Sequence, residues 1–460
     1  MNGLAISTKK SGGIPVWRLR PEELKRLATV VSPEAKAWAK ACGFDAKKGE
    51  ICLLPDVSGK LSGVLFGLGE RGTPFDTGKL AKQLPPGQYR FEDEQENEAL
   101  AALGWVLGAY RFDRYKEDGT KKAELILKNS VDREALIRQG EASYLARDLI
   151  NTPANDMGPD ALERAARKLA RDHSAKISVI KGDDLLKKNF PMIHAVGRAS
   201  VDAPRLIDMK WGNAKAPKVT LVGKGVIFDT GGLNIKPGGS MALMKKDMGG
   251  AANVLALAQM IMAAKLKVRL RVLIPAVENS ISGNAFRPGD ILPSRKGITV
   301  EIGNTDAEGR LVLGDALALG DEEKPDLMVD MATLTGAARV ALGPDLPPFY
   351  SDDDALADEL AQASVEQFDP LWRMPLWPQY QSMLSSKIAD VNHISAGGFA
   401  GSITAALFLS RFVENAKSWV HLDVFGWVPT AKPWANVGGE AQGIRALFAV
   451  IEKRYGQTRP

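Results

Sequence analysis

Apolar residues at Ile298, Val300 and Ile302 alternate with Thr299 and Glu301, the pattern of a half-buried strand. A few positions later Leu311, Leu313, Ala316, Leu317 and Leu319 read as the buried side of a short helix. The same alternation of element types runs from about residue 157 onward. Helical spacing covers 159–171 and 253–266, and strand-like runs cover 177–180, 219–223, 270–274, 327–331 and 419–422. Strands that alternate with helices predict a largely parallel sheet covered on both faces. Earlier in the chain, strand-like runs at 51–54 and 62–68 precede a helical run at 98–107. Charge-rich text at 114–122 then leads into a long helix-compatible segment at 132–151. Asn151-Thr152-Pro153-Ala154-Asn155 ends that segment, because proline and asparagine favour chain turning. The expected fold class is α/β. A smaller amino-terminal α/β domain (1–125) is joined by a helix region (126–156) to a larger carboxy-terminal α/β domain (157–460). The larger domain is expected to hold a central, mostly parallel sheet.

Length agrees, since 460 residues call for two or three domains. A formal net charge of +5 is small for such a chain and gives no basic stripe, which argues against nucleic acid. Cys42 and Cys52 are too few for a disulfide framework, as in a reducing compartment. No basic segment followed by an apolar one opens the chain, and the apolar run at 253–266 is broken by Gln259. A soluble, cytoplasmic protein without a membrane span is expected.

The candidate chemistry lies in the second half, at strand ends, where open α/β sheets place ligands. With four histidines, no His-Glu-x-x-His pair and no Cys-x-x-Cys, a metal site here must rest on carboxylates. One segment runs Gly223-Lys224-Gly225-Val226-Ile227-Phe228-Asp229-Thr230-Gly231-Gly232-Leu233-Asn234-Ile235-Lys236 and reads as a glycine-rich loop. A second is Met244-Lys245-Lys246-Asp247-Met248-Gly249-Gly250-Ala251, and a third is Asn304-Thr305-Asp306-Ala307-Glu308-Gly309-Arg310-Leu311. Taken singly, each has a plain reading. Asp229 or Asp247 serves as a turn former or helix cap, and Asp306 and Glu308 complement a helix dipole. Lysines in glycine-rich turns are commonly solvated. Together, four acids, two lysines and an arginine converging on one crevice suit a bridged pair of metal ions.

These three segments, with Asn151-Thr152-Pro153-Ala154-Asn155 and Asp330-Met331-Ala332-Thr333-Leu334-Thr335-Gly336, resemble the leucyl aminopeptidase family in five ordered motifs over roughly residues 145–447. The resemblance implies a two-metal aminopeptidase that releases amino-terminal, preferentially apolar residues such as leucine from peptides with a free amino terminus. It implies that Asp229 and Glu308 bridge two divalent ions, with Asp306 completing one site and Lys224 and Asp247 the other. The first site suits zinc, manganese or magnesium, and the second zinc, manganese or cobalt. Lys236 is implied to stabilise the developing oxyanion, and Arg310 to hold a bicarbonate ion as general base. The substrate's free amine would bind the second metal near Asp247, with Met244, Thr333 and Gly336 in the side-chain pocket. A homohexamer is implied as well.

The chain departs from the family pattern at Phe425 and Trp427, where many members carry small residues, and across 437–445. Both regions lie near the substrate pocket in relatives, so the preferred amino-terminal residue stays open. Two other classes compete on sequence: a two-metal phosphoesterase, and a nucleic-acid-binding regulator. Missing histidines weigh against the first and low net charge against the second. A serine or cysteine hydrolase is disfavoured, because no Gly-x-Ser-x-Gly elbow exists and both cysteines lie in the first half. His421 reads as a hydrogen-bonded core residue, and His393 as part of a glycine-rich turn.

Overall fold

The computed structural model describes residues 3–93, 97–116, 119 and 122–456. The chain forms two compact units, one of Met1–Tyr144 with Thr430–Val437, the other of Leu145–Pro429 with Gly438–Pro460. The boundary between Tyr144 and Leu145 falls inside the long helix Arg133–Asn151.

In the first unit a five-stranded sheet runs in the order Ile51–Pro55, Leu61–Gly67, Ile14–Leu19, Gly87–Phe91, Ala123–Ile126. Its first pair is antiparallel and the remaining pairs are parallel. Helix Glu98–Gly108 buries Trp105 against the rings of Tyr89 and Phe91, each 6.0 Å away. The strands at 14–19, 87–91 and 123–126 carry Pro15, Arg18, Arg90 or Glu124 within short runs, which blurs their alternation in sequence.

The second unit is built on a mixed nine-stranded sheet with a parallel centre. Trp419–Asp423, Leu327–Ala332, Lys218–Gly223 and Arg269–Asn279 lie side by side and parallel. Arg205–Gly212 and Lys176–Lys181 add antiparallel pairs on one side, and Pro348–Tyr350 adds one on the other. Side chains alternate between the two faces of a strand, so neighbours at 220 and 223 report on opposite faces. Helix Gly249–Ala263 covers the face of Gly223, where an added Cβ would meet Val254 and Ala251. Helix Glu308–Asp321 covers the other face, with Gly320 against Thr220, Met328 and Leu273. Both helices are buried nearly all round, as helices between two packed layers must be.

Three local expectations change. The alternating run at 298–302 does pair as a strand, but Thr299–Glu301 sits in a separate three-stranded sheet with Ile291–Pro293 and Val391–Asn392. The glycine-rich text after Gly223 holds a real strand, Gly225–Asp229, paired in parallel with Arg269–Asn279. The helix expected at 253–266 starts at Gly249, because its glycines allow backbone contact. A Cβ on Gly250 would lie 2.1 Å from the carbonyl oxygen of Met331.

Candidate active site: a lysine and carboxylate cleft

Lys224 leaves the central strand Lys218–Gly223, and Asp229 ends the short strand that follows. Asp247 follows the single turn Met244–Lys246, just ahead of the buried helix Gly249–Ala263. Asp306 lies in the turn Thr305–Ala307, and Glu308 and Arg310 stand in the first turn of helix Glu308–Asp321. Thr333 follows strand Leu327–Ala332, and Gly336 opens helix Gly336–Leu342. One cavity of about 610 Å³ is lined by Lys224, Asp229, Lys236, Met244, Asp247, Asp306, Arg310, Thr333 and Gly336. Glu308 lies beneath it, 1% exposed. A side chain on Gly336 would meet nothing within 4 Å, so this position borders open space.

Two lysines knit the acids together. The Lys224 ammonium lies 2.8 Å from Asp247 Oδ2 and 3.0 Å from Glu308 Oε1, and donates to the Thr333 carbonyl at 2.9 Å. It approaches the next helix so closely that a Cβ on Gly309 would stand 2.6 Å from its side chain. The Lys236 ammonium lies 2.8 Å from Asp229 Oδ2 and 2.6 Å from Asp306 Oδ1, so it is not a solvated loop lysine. Burial alone would lower the pKa of either lysine. The carboxylate charges outweigh it and hold both above the ordinary lysine value. Glu308 moves the opposite way for a carboxyl: burial first, then the charge of Asp229, raises its pKa well above normal. Asp306 is raised for the same two reasons.

The acids are poorly satisfied by protein alone. Asp247 Oδ2, Asp306 Oδ1 and both Glu308 oxygens are buried without a well-aligned hydrogen bond. Three of those oxygens do sit within 2.6–3.0 Å of a lysine nitrogen, at angles poor for hydrogen bonding. Asp229, Asp306 and Glu308 each present an oxygen within 4.8 Å of the other two. Oxygens so close, so buried and so short of donors are the arrangement a hard or borderline dication satisfies.

Several supporting residues escape a sequence reading. Asn279, fully buried at the end of strand Arg269–Asn279, donates to Asp229 Oδ1 at 2.8 Å and to the Thr305 carbonyl at 3.1 Å. Thr305 in turn bonds Gly231 and Asn234, locking the two acidic loops together. Thr333 Oγ1 donates to Asp247 Oδ1 at 2.7 Å. Arg310 forms no ion pair with Glu308; its Nη1 donates to the His393 carbonyl at 2.7 Å, while its Nε is buried without an acceptor. Burial, then the charge of Arg310, pushes His393 down to about 3, so its ring is neutral. The ring accepts from Gly303 N at Nδ1 and donates from Nε2 to the Asn304 carbonyl, bracing the octet. His393 thus has partners where its sequence surroundings offered none. Lys246, Arg339 and Phe425 also line the cleft. Burial brings Lys246 down to about 8. His421 pairs its Nδ1 with Asp330 at 2.6 Å, entirely within the core.

Fold and cleft together define a two-domain α/β enzyme with a carboxylate and lysine centre. Residues 144–448 match the sequence profile described as "Cytosol aminopeptidase family, catalytic domain", and residues 14–128 match "M17 aminopeptidase, N-terminal domain". The chain belongs to the cytosol aminopeptidase family, M17, which is metal-dependent, and it is an aminopeptidase acting on peptides. It is 35% identical over 455 residues to a probable cytosol aminopeptidase of Chlorobium limicola, covering 89% of this chain and 90% of the relative. The crystal structure of the cytosol aminopeptidase from Coxiella burnetii superposes with a TM-score of 0.94 at 47% identity, covering 97% of this chain and 98% of the other. A bottromycin maturation enzyme, BotP, solved in complex with Mn, gives a TM-score of 0.87 at 31% identity over 96% of this chain and all (100%) of that one. Among the described residues no helix is long and apolar enough to cross a membrane.

Proposed function

We propose that this aminopeptidase removes amino-terminal residues with two divalent cations held by Lys224, Asp229, Asp247, Asp306 and Glu308. Asp229 and Glu308 bridge the pair, Asp306 completes one site, and Lys224 with Asp247 completes the other. The observation that carries this reading is the cluster of buried carboxylate oxygens lacking aligned donors. As a ligand Lys224 would give up its proton, because adjacent dications oppose the ammonium that Asp247 and Glu308 favour in their absence. The all-oxygen set suits zinc, manganese or magnesium, and the lysine nitrogen favours zinc, manganese or cobalt. When bound, such a pair supplies Lewis-acid polarisation of the scissile carbonyl and acidifies the attacking water.

The chain's own groups do the rest. Asp247 receives the free α-amine of the substrate, which confines cleavage to the first peptide bond. Lys236, only partly covered, donates to the carbonyl oxygen as negative charge develops there. Arg310 presents a buried guanidinium edge with an unsatisfied Nε, a receptor for a small planar anion such as bicarbonate acting as general base. The resemblance also supports a cytoplasmic homohexamer, and exposed Leu233, Ile235, Trp372, Trp377 and Phe399 give apolar surface for such contacts. Met244, Thr333 and Gly336 form the side-chain pocket, whose other wall, at Phe425, departs from a leucine-type site.

The deciding assay strips the protein of metal, reloads it with zinc, manganese or magnesium, and compares a peptide with its amino-terminally acetylated form. Activity returns with metal and only on the free peptide. Equal cleavage of the acetylated form refutes the role of the amine.

A further inference from the structure

Lys246 has no part in the chemistry above, yet it lines the same cleft with a side chain 3% exposed. Among the described residues its ammonium makes no hydrogen bond or ion pair. The ring of Phe425 lies beside it, 4.9 Å from the nitrogen to the ring centre. The two acids nearby are already engaged. Asp247 takes Lys224 and the Thr333 hydroxyl. Asp423 accepts from Leu334 N, Thr335 N, Thr335 Oγ1 and Arg339 Nη1. Arg339 adds a second cation, its guanidinium 5.4 Å from the same Phe425 ring. An ammonium on the wall of a cleft, whose neighbouring acids are already engaged by other donors, is open to an anionic ligand.

The position of this cation suggests what completes it. Lys246 neighbours Asp247 in the chain, and Thr333 of the side-chain pocket bonds Asp247 directly. An amino-terminal residue whose amine sits at Asp247 sends its side chain from the adjoining carbon, toward Met244, Thr333 and Gly336. In this chain Phe425 lines the same cavity, with the Lys246 and Arg339 cations beside its ring.

We propose that Lys246, assisted by Arg339 across the Phe425 ring, binds the side-chain carboxylate of an amino-terminal glutamate or aspartate, making this an aminopeptidase for acidic residues. The inference rests on the reading that Asp247 receives the substrate amine. A charge-assisted contact discriminates against the neutral isostere, whose amide oxygen can accept from the ammonium but supplies no countercharge.

The test uses the full chain loaded with manganese and the amides Xaa-Ala-Ala-NH2, with Xaa Glu, Gln, Asp, Asn or Leu. Amidation removes the peptide's own terminal carboxylate as a rival ligand for Lys246. Wild-type kcat/KM for Glu over Gln, and Asp over Asn, is expected to exceed roughly tenfold, the order a charge-assisted contact supplies. Lys246→Met brings the ratio close to one, and Arg339→Gln lowers it. A wild-type ratio of one or less overturns the proposal without needing either variant, as does a ratio unchanged in a folded Lys246→Met protein. Cleavage that favours Gln or Leu removes the acidic pocket and leaves the aminopeptidase reading intact. No cleavage of any free amide, with metal present, removes the reading beneath it as well.

Discussion

Glu308→Gln separates the electrostatic roles of the cleft from its packing, because it deletes one charge and keeps size and shape. In the metal-free protein burial and the neighbouring acids oppose that charge more than the lysines favour it, which is why the Glu308 pKa stands well above normal. At an effective dielectric constant of about 20, a carboxylate within 4.8 Å repels by roughly 3.5 kcal/mol or more, so Asp229 and Asp306 together oppose Glu308 by at least about 7 kcal/mol. The Lys224 ammonium at 3.0 Å attracts it by about 5.5 kcal/mol. Asp306 is 32% exposed, and solvent screening trims its share, but burial adds its own cost, so the balance stays against the charge. The metal-free variant is therefore expected to be at least as stable as the metal-free wild type. Metal changes the comparison. A cation at a hundred times its dissociation constant stabilises the wild type by about 2.7 kcal/mol, and the neutral amide of the variant supplies no anionic bridge to capture that gain. Calorimetric unfolding of both proteins, with and without manganese, reads the difference, and peptide cleavage should fall at least about a hundredfold. An equal metal-induced rise in Tm for both proteins would refute the bridging role.

Lys236→Met should lower kcat by about 10²–10³ with little change in KM, because its contact strengthens only as charge develops on the carbonyl. Steady-state kinetics on one peptide decides this, and a pure KM effect would reassign Lys236 to ground-state binding. Asp315 is fully buried and accepts the amides of Met192, Ile193 and Arg295 at 2.9, 3.2 and 2.8 Å. Asp315→Ala orphans all three and should cost about 2–4 kcal/mol in urea unfolding. For His421, burial alone would lower the pKa, but Asp330 outweighs it and raises it above the ordinary 6.5. The stability this pair adds is full below about pH 6.5 and is lost as pH rises through the raised value. The Tm gap between wild type and Asp330→Asn should shrink with rising pH, and a gap that widens would contradict the assignment.

Much of the site was legible because its chemistry is concentrated in short segments. Asp306, Glu308 and Arg310 fall within five positions, and Lys224 and Asp229 within six. The partners that hold them were not legible. Asn279 ends a mostly apolar strand, and His393 lies in a glycine-rich turn, so neither shows in local text that it braces Asp229 or Arg310. Lys246 reads as one of two adjacent lysines; only folding shows it buried while Lys245 reaches the Asn151 carbonyl.

Hydrophobic periodicity and short motifs by themselves determined the α/β class, the main helix and strand alternation of the second half and a set of candidate metal-binding residues, because these depend on neighbours a few positions away. Tertiary structure alone decided that Thr299–Glu301 joins a small separate sheet, and that 225–229 is a strand. It also decided that Lys224 meets Glu308, and that Lys246 faces an aromatic ring and forms no ion pair among the described residues. The reason is physical: period reports which face of an element is buried, whereas charge compensation depends on side chains brought together from distant parts of the chain.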